Sequence, residues 1–450
     1  MSRFTPQRFK AGTLALSLSA ALLSACGGGS SSGGTTPSQA GPVSVLLSPP
    51  EPGQQYWLAY QDGDSPWKVA QKTEAGYRFQ VEDAGGKYAV MLVDEFSDAA
   101  RQLQSSNVRG YHFTRAEVPV IDLRLSEDAL KRKWVRVITS VTNTGAVADA
   151  SLCVLSLGLF HRRAPGCATG DVTSSFRSGT ADAFATQLDA EGSARALVSQ
   201  RGIDVAAGQR FTFDFAQATR LEPSQRVEVR GFGTVPGEGL SVEAQLLSGS
   251  RTGSYQGLAF LASRNDQTTF RYPLVPASAL KPDDVYVASA RTSQEEGELR
   301  HFRTASYLSR AGAAQALVLQ PPVTPLSFGL TGSGSAERPT LSWNTAPGAL
   351  LSRIIADPLA TRERGPNRWD FMFSAGWLQG AKSVTYAPPD LPSLGGQAHW
   401  RLPRLSQADV IHEESATSKP DRAYFLFGYT DSFEDQTFWS SGVAAKAEIR

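Results

Sequence analysis

The feature that most constrains the fold is a recurring pattern of short runs, β-branched or alternating, separated by clusters of Gly, Pro, Asn and Asp. Runs at this spacing are typical of antiparallel β-sandwiches, and strong helix signals are nearly absent. About four hundred residues follow the N-terminal segments, which is too many for one hydrophobic core. We therefore predict an all-β chain of serial β-sandwich modules with Greek-key, immunoglobulin-like topology.

Residues 1–25 have the layout of an export signal. Three basic side chains precede an apolar run, Ala11 to Leu23, that is too short to cross a bilayer comfortably as a helix. The run ends in Leu-Ser-Ala-Cys, which resembles the lipobox of bacterial lipoproteins. The resemblance implies that Cys26 receives a diacylglyceryl group before cleavage and ties the mature chain to a membrane. An ordinary secretory signal that happens to contain a cysteine is the alternative.

The segment 26–42 reads as a flexible tether, because Gly27 to Pro37 offers no apolar side chain to bury. In Gram-negative lipoproteins an aspartate after the lipidated cysteine is the usual inner-membrane retention signal. Gly27 stands at that position, so the resemblance implies the outer membrane. We expect a protein of the cell envelope, with periplasmic and surface-exposed orientations both open.

Cys153 and Cys167 are the other cysteines in a chain that we expect to work outside the cytoplasm. We predict that they form a disulfide. Zinc binding is the weaker reading, because no histidine pair stands at metal-ligand spacing.

The charges of the mature chain are scattered and nearly balanced. Removing Arg3, Arg8 and Lys10 from 44 basic residues, with 43 acidic residues unchanged, leaves a net charge of about −2. No basic block or stripe stands out. We therefore predict no nucleic-acid partner.

Four modules follow the tether, at residues 43–125, 126–225, 226–320 and 321–450. The second contains the predicted disulfide, and the stiff, proline-rich stretch Pro321 to Pro325 marks the last boundary.

Two of these modules show family resemblances. The strand, turn and strand over Phe184 to Leu188 and Gly192 to Val198 resemble the ending of carboxypeptidase-regulatory or transthyretin-like modules. The opening of the last module, Pro339 to Trp343, resembles a fibronectin type III or immunoglobulin-like domain with a core tryptophan. Further strands are expected there at Trp369 to Phe373, Ser383 to Tyr386, Ala398 to Leu402 and Tyr424 to Tyr429.

No catalytic or metal motif emerges from the ionisable residues. His412-Glu413-Glu414 lacks the second histidine of a zinc protease, with Ala416 in its place, and we interpret it as a solvated acidic loop. Asp62-Gly63-Asp64 and Asp431 to Asp435 read as turns rather than calcium loops. Asp370 reads as an outward-facing strand residue between inward-facing neighbours. We predict no cofactor, no metal and no catalytic residue.

Aromatic side chains concentrate in the last module. If Tyr424 to Tyr429 is a strand, its unbroken apolar run must turn aromatics outward or against a neighbour. The predicted aromatic binding surface, the alternative to ordinary core packing, consists of Trp369, Trp377, Tyr424, Phe427 and Tyr429.

In general design the chain resembles uncharacterised lipoproteins of Gram-negative bacteria. We predict a membrane-anchored envelope lipoprotein that acts as a non-catalytic interaction, adhesion or structural protein. Its partners would be the membrane, through the lipid on Cys26, and an envelope protein or glycan. The alternative is a carbohydrate- or peptidoglycan-binding protein with hydrolytic activity left open.

Overall fold

Strands dominate the structure and confirm the all-β, multi-sheet prediction. The computed structural model describes residues 39–98, 103–124, 133–144, 152–157, 160–165, 171–249, 257–310, 316–331, 338–358, 367–400, 408–427 and 436–447. All of them belong to one compact unit, Gln39–Arg450.

The first fifteen strands cover most of the first two predicted modules. The N-terminal strands are β1 Gly41–Leu46, β2 Gln54–Asp62, β3 Lys68–Val69, β4 Gln71–Thr73, β5 Gly76–Val81, β6 Lys87–Asp98, β7 Leu103–Thr114 and β8 Val120–Asp122. The next group is β9 Trp134–Thr142, β10 Leu152–Leu157, β11 Phe160–Pro165, β12 Val172–Arg177, β13 Gly179–Leu188, β14 Ala194–Val205 and β15 Arg210–Asp214.

The second half of the chain continues in the same style. Its strands are β16 Thr219–Arg220, β17 Glu222–Arg230, β18 Gly239–Ser248, β19 Gly257–Asn265, β20 Thr269–Leu274, β21 Asp284–Glu296, β22 Leu299–Ser309, β23 Leu317–Val318, β24 Ser327–Thr331, β25 Arg338–Asn344, β26 Leu351–Pro358, β27 Asn367–Ser374, β28 Ser383–Tyr386, β29 Ala408–Thr417 and β30 Gln436–Ala447.

Helical elements in the described ranges are short. They are α1 Ala375–Leu378, α2 Arg422–Phe427 and the 3₁₀ turns Phe215–Gln217, Ala277–Ala279, Leu391–Leu394 and Ala398–Trp400. None of these helices has the length and apolar character needed to cross a bilayer.

The alternation of apolar and polar residues along the sequence determines which face of a strand is buried. In β18, Leu240, Val242, Ala244 and Leu246 are buried while the residues between them are partly exposed. The predicted strand-turn-strand ending of the second module is an antiparallel hairpin of β13 and β14. Asp189 closes its turn by accepting a hydrogen bond from the backbone N–H of Ser193 at 2.9 Å.

A twelve-stranded sheet runs through the molecule. Its strand order is β19-β18-β21-β22-β30-β29-β26-β27-β7-β6-β2-β3. The sheet therefore combines strands from the first, third and last predicted modules. Two long-range pairings join these groups: β22 with β30, antiparallel, and β7 with β27, parallel.

Smaller sheets pack against the large sheet and one another to form the sandwich cores. The sheet β4-β5-β1-β8 covers β2, β6 and β7, and the sheet β24-β25-β28 packs over the opposite face at β7, β26 and β27. The five-stranded sheet β11-β10-β13-β14-β16 is buried on both faces. Phe184 packs toward β18 and β19, whereas Ala183 and Ala185 pack toward the sheet β12-β9-β15.

The module boundaries remain predictions, but the predicted modules are joined by common contacts that separate sandwiches would lack. The extended stretch Pro321 to Pro325 lies on the large sheet instead of spanning a gap. The backbone N–H of Val323 donates to Ser441 Oγ at 3.2 Å, and the carbonyl of Thr324 lies 3.2 Å from His412 Nδ1. These bonds fix the linker in place.

Two strands predicted for the last module are wrong. Tyr424 belongs to helix α2, and Ala398–Trp400 forms a 3₁₀ turn. Asp421 provides the physical reason for the helix, because its Oδ1 accepts the backbone N–H of Tyr424 at 2.8 Å as an N-cap. An unbroken apolar run does not distinguish a buried strand from a short buried helix. The strands predicted at Trp369 to Phe373 and Ser383 to Tyr386 are confirmed.

The close approach of β7 and β27 depends on a missing side chain at Gly110. A Cβ atom there would lie 2.4 Å from Cδ1 of Phe371, its register partner. We expect Gly110→Ala to destabilise the protein by about 2 kcal/mol, because overpacking a filled core forces side chains and backbone to shift. Urea unfolding followed by tryptophan fluorescence measures the effect.

Gly239→Ala is the matched control, because a Cβ at Gly239 would meet nothing nearer than 3.8 Å. It should change stability far less. Equal effects of the two substitutions would contradict the proposed close packing at β7 and β27.

Candidate functional site: an arginine-lined pocket

Alternation along β7 and β27 gives the centre of the large sheet two unlike faces. The aromatic face carries Trp369, Phe371 and Phe373, which are buried under the sheet β24-β25-β28. We call the opposite face the arginine face, because Arg109 of β7 and Arg368 of β27 lie on it. Residues two apart on a strand point to the same side, so Arg368 and Asp370 alternate along β27 with the buried Trp369, Phe371 and Phe373.

A concave site of about 520 Å³ lies on the arginine face. This volume is within the range typical of small-molecule sites. Its walls combine cationic, polar and apolar groups from three adjacent strands and one helix. We define the arginine pocket by its lining residues, Asn107, Arg109, Tyr111, Arg353, Arg368, Asp370, Met372 and Leu426.

A bidentate ion pair organises the pocket. Arg353 Nε donates to Asp370 Oδ1 at 2.9 Å, and its Nη2 donates to Oδ2 at 2.6 Å. Burial by itself disfavours the charge of Arg353, but the hydrogen bonds and attraction of Asp370 raise the pKa of the guanidinium. Arg368 stands farther away, with Nη2 at 3.7 Å from Asp370 Oδ2. The pocket thus has one arginine locked by a carboxylate and another more loosely associated with it.

Glu413 of β29 extends this row of charges toward β30. It pairs in register with Arg353 and lines a second cleft together with Phe302 and Phe438. Burial is the largest influence and raises the pKa of Glu413, while a hydrogen bond to Ser440 and the charge of Arg353 oppose the shift. This carboxyl therefore ionises less readily than an exposed glutamate.

Helix α2 forms one edge of the pocket. Leu426 reaches the pocket, and Tyr424 Oη lies 3.0 Å from Ser415 Oγ, which fixes the helix to β29. Beneath it, burial raises the pKa of the Tyr111 phenol, and the nearby Arg109 guanidinium opposes that shift. Tyr111 therefore stays a neutral, polar part of the floor.

A larger and more open cleft of about 870 Å³ lies between the β13–β14 turn and β20. It also contains arginines, but Arg264 is already engaged by Ser193 Oγ at 2.9 Å and by the carbonyl of Ser263 at 3.1 Å. The arginine pocket is the more enclosed of the two, and we take it as the candidate site.

The structure locates some of the predicted functional residues. Cys153 lies in β10, whereas Cys26 and Cys167 lie outside the described residues, so lipidation and the disulfide stay predictions. Asp431 to Asp435 lies outside them as well. Within the described ranges, no group of three or more His, Cys, Asp or Glu side chains is arranged to hold a metal ion.

The predicted aromatic binding surface is wrong at Trp369 and Tyr424. Trp369 and Tyr424 are 2 % and 0 % exposed, and they belong to different cores on opposite faces of the sheet. Trp377 is half-buried in α1, with Lys87 Nζ 4.6 Å from its ring centroid. Phe427 ends α2 with its side chain outside the described part, and Tyr429 lies beyond it.

The interpretation of His412-Glu413-Glu414 as a solvated loop is also wrong. The three residues lie in β29, and His412 and Glu414 are fully buried on the aromatic face. His412 Nε2 lies 2.9 Å from Glu414 Oε1, whereas Glu414 Oε2 is buried with no hydrogen-bond partner in the described part of the chain. Another core histidine, His112, stacks on Phe373, and burial lowers its pKa to about 3, which keeps it neutral.

The sequence predicts Asp370 to be an outward-facing residue between inward-facing neighbours; it does point away from them, but it is buried on the arginine face. Trp369 and Phe371 enter the core while Asp370 turns to the arginine face. Arg109, Arg353 and Arg368 were missed. The available signal was the polar alternation along β7 and β27. Their convergence depends on the pairing of strands about 260 residues apart, which local patterns do not reveal.

The pKa shift of Glu413 makes stability depend on pH. The pKa of Glu413 in the folded state is raised above its ordinary value of 4.5. Glu413 therefore contributes most to stability below pH 4.5, and this contribution is lost as the pH rises from 4.5 through the folded-state pKa. We expect Glu413→Gln to match the wild type near pH 4 and to be more stable relative to it near pH 8. Urea midpoints across this range measure the difference.

Glu298→Gln, in the exposed turn after β21, is the control and should follow the wild type at every pH. Parallel pH profiles for wild type and Glu413→Gln would show that burial does not disfavour the ionised form of Glu413.

Comparisons with known proteins assign neither a family nor a function. No protein-family model and no curated protein matches the chain. One similar solved structure is a DUF3823 family protein from Bacteroides ovatus, with 10% identity and a TM-score of 0.13 over 36% of this chain and 90% of that one. A DUF3823 family protein from Parabacteroides merdae shows 9% identity and a TM-score of 0.14 over 35% and 90%. A Streptococcal ancillary pilin shows 8% identity and a TM-score of 0.13 over 63% and 99%.

Proposed function

We propose that the protein is a lipid-anchored, non-catalytic binding protein of the bacterial cell envelope, and that its ligand or partner occupies the arginine pocket. The observation that carries the proposal is the pocket itself, in which three arginines and one aspartate converge from β7, β26 and β27. Sites built on strands hold their side chains more precisely than sites on loops.

The chemistry of the lining residues favours binding over catalysis. Both oxygens of Asp370 accept hydrogen bonds from Arg353, so this carboxylate is already engaged. A general base must instead reach the proton that it removes from the substrate. Arginine, asparagine, methionine and leucine supply recognition and shape rather than proton transfer.

The envelope location rests on the N-terminal sequence. A basic start, an apolar run and Leu-Ser-Ala-Cys support lipidation of Cys26, and Gly27 supports the outer membrane. Within this proposal the second segment belongs with carboxypeptidase-regulatory-like modules and the last with fibronectin type III or immunoglobulin-like modules. Protease accessibility on intact and permeabilised cells decides between surface and periplasmic orientation.

Replacing the lipidated cysteine tests the anchor. We expect wild-type protein to incorporate labelled palmitate and to remain with the membrane pellet, whereas Cys26→Ala should lose the label and most of its membrane association. We expect this loss because each buried CH₂ of an acyl chain contributes about 0.8 kcal/mol to membrane binding. The substitution removes the residue that carries the acyl chains.

Ser30→Ala in the same tether is the control and should keep both label and pellet association. A Cys26→Ala protein that still carries palmitate would refute the lipoprotein assignment.

Filling the pocket tests the binding site. Asn107 is half-buried at the pocket wall, and Asn107→Trp would place an indole in the space that the ligand needs. We expect the purified mature chain to bind saturably to isolated envelopes of the producing bacterium, and Asn107→Trp to weaken this binding at least about tenfold, or roughly 1.4 kcal/mol. Quantitative pull-down with labelled protein measures the affinity.

Glu298→Trp, far from the pocket in an exposed turn, is the matched control and should bind as the wild type does. If both tryptophan variants bind normally, the arginine pocket is not the binding site. Purified peptidoglycan sacculi form a separate arm, and saturable binding to them would support the glycan alternative.

A further inference from the structure

We propose that the arginine pocket recognises an oxyanion, a carboxylate or a phosphate, on a small ligand or on a residue of a larger one. Arg368 and Arg109 are the groups that hold it. This inference rests on the function proposed above and adds the chemical class of the ligand.

The balance of charge in the lining favours an anion. Three guanidinium groups face one carboxylate, and that carboxylate is already held on both oxygens by Arg353. Two further acids lie nearby. Asp94 accepts a hydrogen bond from Gln54 Nε2 at 2.8 Å, and burial raises the pKa of Glu413. Neither stands among the residues that line the pocket.

Arg368 is the arginine best placed to engage a ligand. Its Nη2 lies 3.7 Å from Asp370 Oδ2, which is longer than a hydrogen bond, and its side chain is 40% exposed. Arg109 is half-buried and lines the pocket beside Tyr111, where its positive charge opposes the rise in the pKa of the phenol. The planar guanidinium group presents N–H donors that match the geometry of carboxylate and phosphate oxygens. An arginine side chain held in place by its neighbours also loses less conformational entropy when it binds a ligand.

Arg353 serves as a positioning residue in this arrangement. By neutralising Asp370 it removes the one lining carboxylate that would repel an anion, and the bidentate geometry keeps both side chains fixed. The walls at Met372 and Leu426 are apolar and nearly inaccessible. They shield the pocket from solvent on one side, which strengthens the attraction between an arginine and a bound anion.

Titration with simple sugars tests the ligand class directly. The mature chain in detergent is titrated calorimetrically with glucuronate, with glucose 6-phosphate and with neutral glucose. We expect at least one charged sugar to bind saturably and to lose affinity with added sodium chloride, and glucose to show no saturable binding. Glucuronate binding alone identifies a carboxylate ligand, glucose 6-phosphate binding alone a phosphate ligand, and binding of both a general oxyanion site.

Variants place the binding in the pocket. Arg368→Gln should weaken binding of the charged sugar about tenfold, the usual effect of losing a hydrogen bond to a charged group. Arg271→Gln, an exposed arginine on β20 outside the pocket, should leave the affinity unchanged. Melting temperatures of both variants confirm that the fold is intact.

Three results would overturn the proposal: no binding of either charged sugar, equal binding of glucose, or unchanged affinity in Arg368→Gln. The function proposed above has a separate readout. If Asn107→Trp abolishes envelope binding while no charged sugar binds, the pocket remains the binding site but its ligand is not an oxyanion.

Discussion

The parallel pairing of β7 with β27 is the interaction on which the rest of the structure depends. It joins a strand near the N-terminus to a strand in the last quarter of the chain, with Ser106 to His112 beside Asn367 to Phe373. Without it the first-module strands would be separated from the rest of the large sheet. Gly110 permits the contact because Phe371 occupies the space of its missing side chain. The seam also creates the arginine pocket, whose residues come from both sides of it.

Buried charges recur at the points where segments meet. Arg201 bridges Asp182 of β13 and Asp284 of β21, and so links the second and third segments through two buried carboxylates. Arg303 of β22 pairs with Glu238 and also donates to the carbonyl of Gln320 ahead of the linker. Each charge has a partner, which is the condition under which burial is tolerated. The same device, Arg353 with Asp370, fixes the pocket.

Local pattern was a good guide where one face of a strand is buried and the other is not. It identified the β13–β14 hairpin and the strands at β27 and β28. It misled where every residue in a run is apolar, as at α2, since helix and strand then look alike without a cap such as Asp421. It also placed His412 and Glu414 on the surface, because polar residues in a sequence indicate exposure unless their contact with each other in the core is known.

The sequence by itself determined the fold class and the export and lipidation signals that we expect at the N-terminus, because strand alternation, turn residues and the lipobox are local patterns. It also predicted that Asp370 turns away from its aromatic neighbours. Only the tertiary structure decided that strands from three segments share one sheet, that Trp369 and Tyr424 lie inside, and that arginines from β7, β26 and β27 converge. The physical reason is that these features arise from pairings between residues hundreds of positions apart, and such a register is selected by the burial of whole faces rather than by any single segment.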